Sequence, residues 1–300
     1  MSSKKPSVLI TGCGEGGIGH AIAAEFLSKG TRYHDTQPLA SIPLTYAILS
    51  QGYEVITTLL PHEARTHLTD AGIHVFSSDV TKDEDTMILR DHVAAITGGG
   101  LDVLVNNAGI CYTMTAADSD LKEIEKMFAV NVFGPMRMVR VFHPLLVQKK
   151  GAIVNIGSVG GIVPFVYGAS YNATKAALHH WGNTLRVEMK PLGVRVVNII
   201  SGEIGTNILK RDMGRQLPEG SLYRPLQANF ADHCNRTPKT TPRRVYAANV
   251  VAEVVKKNPA AWFWTGETTL TVRLCDALLP RTFWDFLFTR MFSLDKLRGA

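Results

Sequence analysis

No two of the four cysteines are spaced as CxxC: Cys13, Cys111, Cys234 and Cys275 lie far apart along the chain. That spacing offers neither a metal knuckle nor a redox pair, so we read them as reduced thiols in packing positions. A run of about 18 uncharged apolar residues is also missing, and a membrane-spanning helix is therefore not expected. Charge of one sign is scarce as well. The net +6 is spread along 300 residues, which does not point to nucleic acid. It does suit an anionic membrane surface or a phosphate-bearing substrate. The start is polar and lysine-containing, and an apolar run begins by Val8, so no secretory signal is expected. What is present is core material: 45% hydrophobic residues over this length fits one large α/β domain.

Tyr171 and Lys175 lie four residues apart in a helical pattern, with Ser158 thirteen residues before the tyrosine. A free phenol titrates near 10 and exchanges protons poorly at neutral pH. A lysine one turn further on shares its face, so the ammonium can hold a phenolate. Bringing the phenol to near 7 takes about three units, roughly 4 kcal/mol. With a hydrogen-bonding serine beside it, such a tyrosine can protonate a ketone oxygen as hydride arrives, or deprotonate an alcohol as hydride leaves. The plain alternative is a solvated tyrosine–lysine pair, since YxxxK alone is common. His179 and His180, further along this helix, read as packing or surface residues.

The apolar run Val8-Leu9-Ile10 leads into Thr11-Gly12-Cys13-Gly14-Glu15-Gly16-Gly17-Ile18-Gly19 and then a helical pattern from His20 to Lys29. Strand, glycine turn and helix form the context of a dinucleotide loop. Gly12, Gly17 and Gly19 let backbone approach a pyrophosphate, and the helix start at Ile18 supplies unpaired N–H groups.

Together these motifs resemble the short-chain dehydrogenase/reductase family over roughly Ser7 to Gly266. Thr11 to Gly19 matches TGxxxGIG with one extra residue, and NNAG stands at Asn106-Asn107-Ala108-Gly109. Asn131 lies in Asn131-Val132-Phe133-Gly134, an NVxG segment. The resemblance implies an oxidoreductase in which Ser158, Tyr171 and Lys175 are catalytic and Asn131 supports Lys175 through a water. It also implies that Asn107, Ala108 and Gly109 line the cofactor, that Asp79 and Val80 stand beside its adenine, and that Ile204 and Thr206 hold its nicotinamide. For Asp79 the alternative is an N-cap of the next helix.

Strands are expected at Tyr53–Thr58, His74–Ser78, Leu101–Val105, Ala152–Ile156 and Val194–Ile200. Helices are expected at Lys82–Ile96, Leu121–Val147 and Tyr171–Met189. Alternation of the two predicts a doubly wound parallel sheet, a Rossmann fold, in residues 1–266. Residues 31–51 carry no clear period, and Lys29-Gly30 could join Gly52-Tyr53 directly. We read that stretch as a retained short intron, because its codons permit a donor at Thr31, a branch site at Leu44-Thr45 and an acceptor at Gln51. A surface loop is the alternative.

Strand two ends Thr57-Thr58-Leu59-Leu60-Pro61 without the acid that would favour NAD. NADP(H) is therefore expected, with Arg65 and His62 as the nearest basic candidates and Glu15 as a mark against a 2′-phosphate. Ser201 stands where the family has proline, which loosens the turn before Gly202. Asn207 to Thr241 reads as a mobile lid. Residues 267–300 read as an apolar and basic extension. With Trp262-Phe263-Trp264 just before it, this end suits a membrane surface as well as it suits a pocket wall. The turn at Met189-Lys190-Pro191, the Trp264-Thr265-Gly266 step and the tail are similar to fungal 1-acyldihydroxyacetone-phosphate reductases. That likeness implies a lipid-like substrate and a peripheral place on endoplasmic reticulum or lipid droplets, with the cytosol as alternative and a homodimer as the assembly considered. A retinol, steroid or broad-range alcohol dehydrogenase is the rival enzyme reading. A lipid-surface protein without catalysis is the rival of another class.

Overall fold

The computed structural model describes residues 5–29 and 52–297, the side chain of Leu209 excepted. The intron reading of 31–51 lies outside the described residues. Seven strands pair in parallel: β1 Ser7–Ile10, β2 Glu54–Leu59, β3 His74–Ser77, β4 Val103–Asn106, β5 Ala152–Ile156, β6 Arg195–Ser201 and β7 Trp262–Thr265. Their order is β3-β2-β1-β4-β5-β6-β7, which reverses direction at β1 and opens a crevice beyond the ends of β1 and β4.

The helices are α1 Ile18–Ser28, α2 Thr66–Thr69, α3 Asp83–Thr97, α4 Leu121–Phe128, α5 Gly134–Lys149, α6 Ala169–Met189, α7 Gln227–Cys234, α8 Arg243–Val254, α9 Thr269–Leu278 and α10 Thr282–Met291. Strand residues alternate between faces, and each face is apolar, so both demand cover. Val8, Ile10, Val105 and Ile199 pack under Phe26 of α1 and Tyr246 and Val250 of α8. Leu9, Ile56, Leu104 and Ile153 pack under Leu89 of α3, Phe142 of α5 and Leu185 of α6. Each such fully buried aliphatic or aromatic side chain contributes about 1.5–3 kcal/mol.

Three local outcomes differ from the sequence reading. The helix expected over 121–147 is interrupted by a five-residue π-turn at Ala129–Phe133, which sets Asn131 inside the wall of the crevice. Trp262-Phe263-Trp264 is the seventh strand, in register with Asn198, Ile199 and Ile200. Its three aromatics in a row hide the alternation that marks a strand. Lastly, Ser201 is the final residue of β6 and its buried hydroxyl bonds that of Tyr246 at 2.6 Å, a tie to α8 rather than a loosened turn.

The C-terminal helices close a third apolar cluster. Val272 of α9 and Trp284 and Phe288 of α10 join Phe292, Phe230 of α7 and Tyr167. Phe165 meets Phe288 and Phe292 edge-to-face, each at 5.5 Å between ring centres. Among the described residues no helix is long and apolar enough to cross a membrane. At the opposite end, the Phe26 carbonyl accepts from the N–H groups of Lys29 and Tyr53, each at 3.4 Å, so the end of α1 touches the start of β2.

Candidate active site

The glycine loop is held by backbone and by Asn107. Asn107 Nδ2 donates to the carbonyls of Thr11 and Gly12, both at 2.8 Å, and Thr11 Oγ1 accepts from the N–H groups of Asn107 and Ala108. Gly12 has φ +69°, a left-handed conformation, and a Cβ there would lie 2.8 Å from Ala108 Cα. A Cβ on Gly19 would lie 2.5 Å from Asn107 Nδ2, and one on Gly17 3.0 Å from Gly14 O. No side chain caps α1 at Gly17, so the N–H groups of the turn that begins at Ile18 are left for an anion. This cradle, which side chains would fill, fits a pyrophosphate.

Around the loop lie residues that spacing alone did not single out. Asn207 Nδ2 reaches Glu15 O at 3.4 Å and Arg243 Nη1 reaches Gly16 O at 2.8 Å, so the chain after β6 and the start of α8 cover the loop. Glu63 folds back to accept the Leu60 N–H at 2.7 Å, with its carboxylate over Gly14. It supplies an acid near the end of β2 by way of a turn, four residues beyond the strand. Arg65 bonds the Ser77 hydroxyl at the end of β3. Asp79 does not cap α3. Its carboxylate accepts the Thr81 N–H at 2.9 Å and hydroxyl at 2.7 Å, while Lys82 holds the cap position. Val80 packs against Gly134 at the start of α5. Ile204 bridges to Thr241, and the Thr206 hydroxyl accepts the Ile208 N–H at 3.5 Å.

Ser158, Tyr171, Lys175 and Asn131 come together beyond β4 and β5. The Ser158 hydroxyl stands beside the Tyr171 ring: a Cβ on Gly160 would lie 3.4 Å from Ser158 Oγ and 3.6 Å from Tyr171 Cε1. Lys175 Nζ lies 5.6 Å from the Tyr171 ring centre and donates to Ile156 O at 2.8 Å. Asn131 clamps Ile110 at both ends, accepting its N–H and donating to its carbonyl, each at 2.9 Å. Gly109 is the residue between Asn131 and Lys175: a Cβ there would stand 3.4 Å from Asn131 Oδ1 and 3.8 Å from Lys175 Nζ.

The electrostatics correct one expectation. Burial, then the nearby Cys111, holds the Tyr171 phenol above its ordinary 10.0 against the opposing pull of the Ser158 hydroxyl. The lysine ammonium does not bring it down toward 7. Burial also takes Lys175 from 10.5 down to about 8. All four cysteines are free, and burial raises Cys111 to about 12, so that thiol stays protonated at neutral pH. Among the described residues no group of His, Cys, Asp and Glu is arranged to hold a metal ion.

The helix that presents Tyr171 and Lys175 is anchored by an amide ladder. Asn106, Asn155 and Asn198 stand in register on β4, β5 and β6. Asn106 Nδ2 donates to Asn155 Oδ1 at 2.9 Å, and Asn155 Nδ2 to Asn198 Oδ1 at 3.1 Å. Asn198 Nδ2 then donates to the His179 carbonyl at 3.1 Å, which ties α6 to the sheet. The register pairs these buried amides with one another, leaving only Asn106 Oδ1 of the ladder without a hydrogen-bond partner.

The stretch read as a lid is clamped. Asp212 is 2% exposed and accepts both the N–H and the hydroxyl of Thr113, at 3.1 and 2.8 Å, besides pairing with Arg215 at 2.7 Å. Arg215 lies 4.4 Å from the Tyr112 ring centre, and Ser221 donates to Asp118 at 2.6 Å.

A family model described as short chain dehydrogenase matches residues 44–216. Beginning where it does, that match owes nothing to the glycine loop. Short-chain dehydrogenase RED1 of Pyricularia oryzae is 56% identical over 300 residues, 99% of this chain and 98% of that protein. The NADPH-dependent 1-acyldihydroxyacetone phosphate reductase of Schizosaccharomyces pombe is 36% identical over 236 residues, 77% of this chain and 72% of that one. Among solved structures, a short-chain dehydrogenase from Streptomyces avermitilis has a TM-score of 0.72 at 24% identity, covering 100% of this chain and 99% of its own. Loop, tetrad, sheet order and sequence likeness thus converge: this chain is an oxidoreductase and belongs to the short-chain dehydrogenase family.

Proposed function

We propose that the protein is an NADPH-dependent carbonyl reductase of a lipid-like ketone, with 1-acyldihydroxyacetone phosphate as the specific candidate and 1-acylglycerol 3-phosphate as its product. One observation carries the reading: the half-buried Tyr171 phenol, held above its ordinary range by desolvation, stands beside Ser158, its ring centre 5.6 Å from Lys175 Nζ, at the edge of an aromatic cluster. A protonated phenol is equipped to donate, which is the demand of reduction. The apolar cluster of Phe165, Tyr167, Phe288 and Phe292, with Tyr171 packed against it, suits a substrate with an apolar chain.

When bound, NADPH supplies the hydride. Tyr171 gives its proton to the carbonyl oxygen, and Ser158 holds that oxygen by a hydrogen bond. The Lys175 ammonium stabilises the phenolate left behind, and Asn131 on the π-turn would support the lysine through a water. Gly12, Gly17, Ile18 and Gly19 take the pyrophosphate. Asn107, Ala108 and Gly109 would back the cofactor, Asp79 and Val80 would border its adenine, and Ile204 and Thr206 would hold its nicotinamide. Arg65 is the group for a 2′-phosphate, and the name of the Schizosaccharomyces pombe relative favours NADPH. The Glu63 carboxylate favours the unphosphorylated ribose of NADH, so both cofactors belong in the titration.

A second reading is an unphosphorylated apolar ketone or alcohol of retinol or steroid type. It is favoured by the engagement of the arginines near that cluster: Arg215 with Asp212, and Arg236 with Glu203 at 3.9 Å. A substrate panel with and without phosphate separates the two. For the site itself, Tyr171→Phe is expected to lower the rate at least about a hundredfold while leaving NADPH binding intact. Near-full activity of that variant would remove the tyrosine from the reaction.

For location we propose reversible attachment to an anionic lipid surface, such as endoplasmic reticulum or a lipid droplet. Leu270, Leu274 and Leu278 are 68%, 50% and 77% exposed along one face of α9. Phe286 and Met291 are exposed on α10, with exposed Arg273, Arg281 and Arg290 nearby. Apolar groups flanked by cations match an anionic interface. The check is flotation with anionic liposomes of wild type and of Leu274→Glu with Leu278→Glu. Wild type should float at low salt and the variant should not. A wild type that stays soluble, or a dimer in which this face is covered, overturns the attachment.

A further inference from the structure

His179 sits beneath the loop that carries Ser158. It stands two turns after Tyr171 on α6, with Lys175 between them, and is 3% exposed. Its Nε2 lies 3.2 Å from the Ser158 nitrogen. A backbone N–H only donates, so Nε2 is the acceptor and the ring proton is on Nδ1. The loop is moulded on this ring. A Cβ on Gly157 would lie 2.2 Å from Nε2, and one on Gly161 2.6 Å from Cε1. Trp262 of β7 lies on another side, 5.4 Å between ring centres.

Successive turns of α6 therefore grip the chain on both sides of Gly157. Lys175 takes the carbonyl of Ile156, and His179 takes the N–H of Ser158. With its backbone fixed, Ser158 turns its hydroxyl to accept the Gly160 N–H at 3.0 Å, beside the Tyr171 ring. Burial and the Lys175 ammonium push the imidazole down to about 3, so the ring is a neutral acceptor at neutral pH.

We propose that His179 is a positioning residue for the reaction, acting through the Ser158 backbone amide. The proposal rests on Ser158 serving the carbonyl oxygen. A shift of about 1 Å in such a group costs up to roughly a hundredfold in rate. His179→Met keeps similar bulk without a strong acceptor, whereas His179→Gln can present its Oε1 where Nε2 stands. With a ketone substrate and NADPH, the methionine variant is expected to lose about ten- to a hundredfold in kcat with little change in NADPH affinity. The glutamine variant should recover most of that loss. In a Ser158→Ala background, His179→Met should cost little more.

Equal losses in both backgrounds would show that the histidine does not act through the serine. If Ser158→Ala itself runs at full rate, the site reading fails instead, so the two failures are distinguishable. A measurement on wild type needs no variant to fold. The ring nitrogens of His179 should show ¹⁵N shifts of an Nδ1–H tautomer, and an Nε2–H tautomer overturns the proposal outright.

Discussion

The two sides of the crevice are built by different means. On the nucleotide side, shape is set by backbone: glycines at 12, 17 and 19 and the Asn107 amide allow no room for a Cβ. On the substrate side, shape is set by side chains: a cluster of rings around Phe165 and Tyr167, latched by Asp212 to Thr113 and Arg215. Backbone approach leaves residue-specific signals in a sequence, because only glycine satisfies it. Ring packing accepts many solutions and leaves little beyond composition.

The largest effect that sharpens this contrast is on the nucleotide side. Gly19→Val sets a branched side chain into Asn107 and Gly12 O, so NADPH binding followed by fluorescence should be lost. An unchanged dissociation constant would mean that the loop does not bind the dinucleotide. On the other side, Asp212→Ala strips buried partners from Thr113 and Arg215, a loss of about 1–3 kcal/mol. The melting temperature should fall by several degrees while NADPH affinity holds. Equal stability of the variant would show that the latch contributes nothing.

Smaller and more conditional is the pH profile. Lys175 titrates near 8 instead of 10.5, so its ammonium is present below that pH and lost above it, while Tyr171 stays protonated throughout. The rate of carbonyl reduction should fall as pH rises through about 8, and a profile flat to pH 10 contradicts the role of the ammonium. The smallest effect expected is that of joining Gly30 directly to Gly52. Lys29 and Tyr53 already share the Phe26 carbonyl, and loop closure costs only about 0.6 kcal/mol per doubling of length. Folded, active protein is the expected product, and an insoluble chain would overturn the expectation.

Sequence reading found β5 with its observed bounds and four other strands within two residues at either end, because buried parallel strands are continuous apolar runs. It joined Ser158, Tyr171 and Lys175 through their spacing, and the family resemblance added Asn131 to them. What it passed over depends on tertiary partners. The strand at Trp262 lacks alternation because aromatics pack, half-buried, on both faces: Phe263 against the α1 and α8 cluster and Trp264 against the C-terminal rings. Glu63 reaches the end of β2 only through a turn. His179 looks like any buried imidazole until the Ser158 amide is seen to end on it. The aromatic tail divides: Trp284 and Phe288 close the core, whereas the Leu270–Leu278 face stays outside.

The meeting of Phe26 with Tyr53 means that continuity between α1 and β2 is held by noncovalent contacts as well as by the chain. The fragment before it contributes β1, which lies between β2 and β4 in the middle of the sheet, together with the whole glycine loop. Two polypeptides, one ending near Lys29 and one starting near Gly52, therefore have complementary surfaces for reassembly. The short piece would dock as the central strand with its helix, and recovery of dinucleotide binding would report that the halves had found each other. The same junction is a natural place to insert a reporter domain without disturbing the crevice.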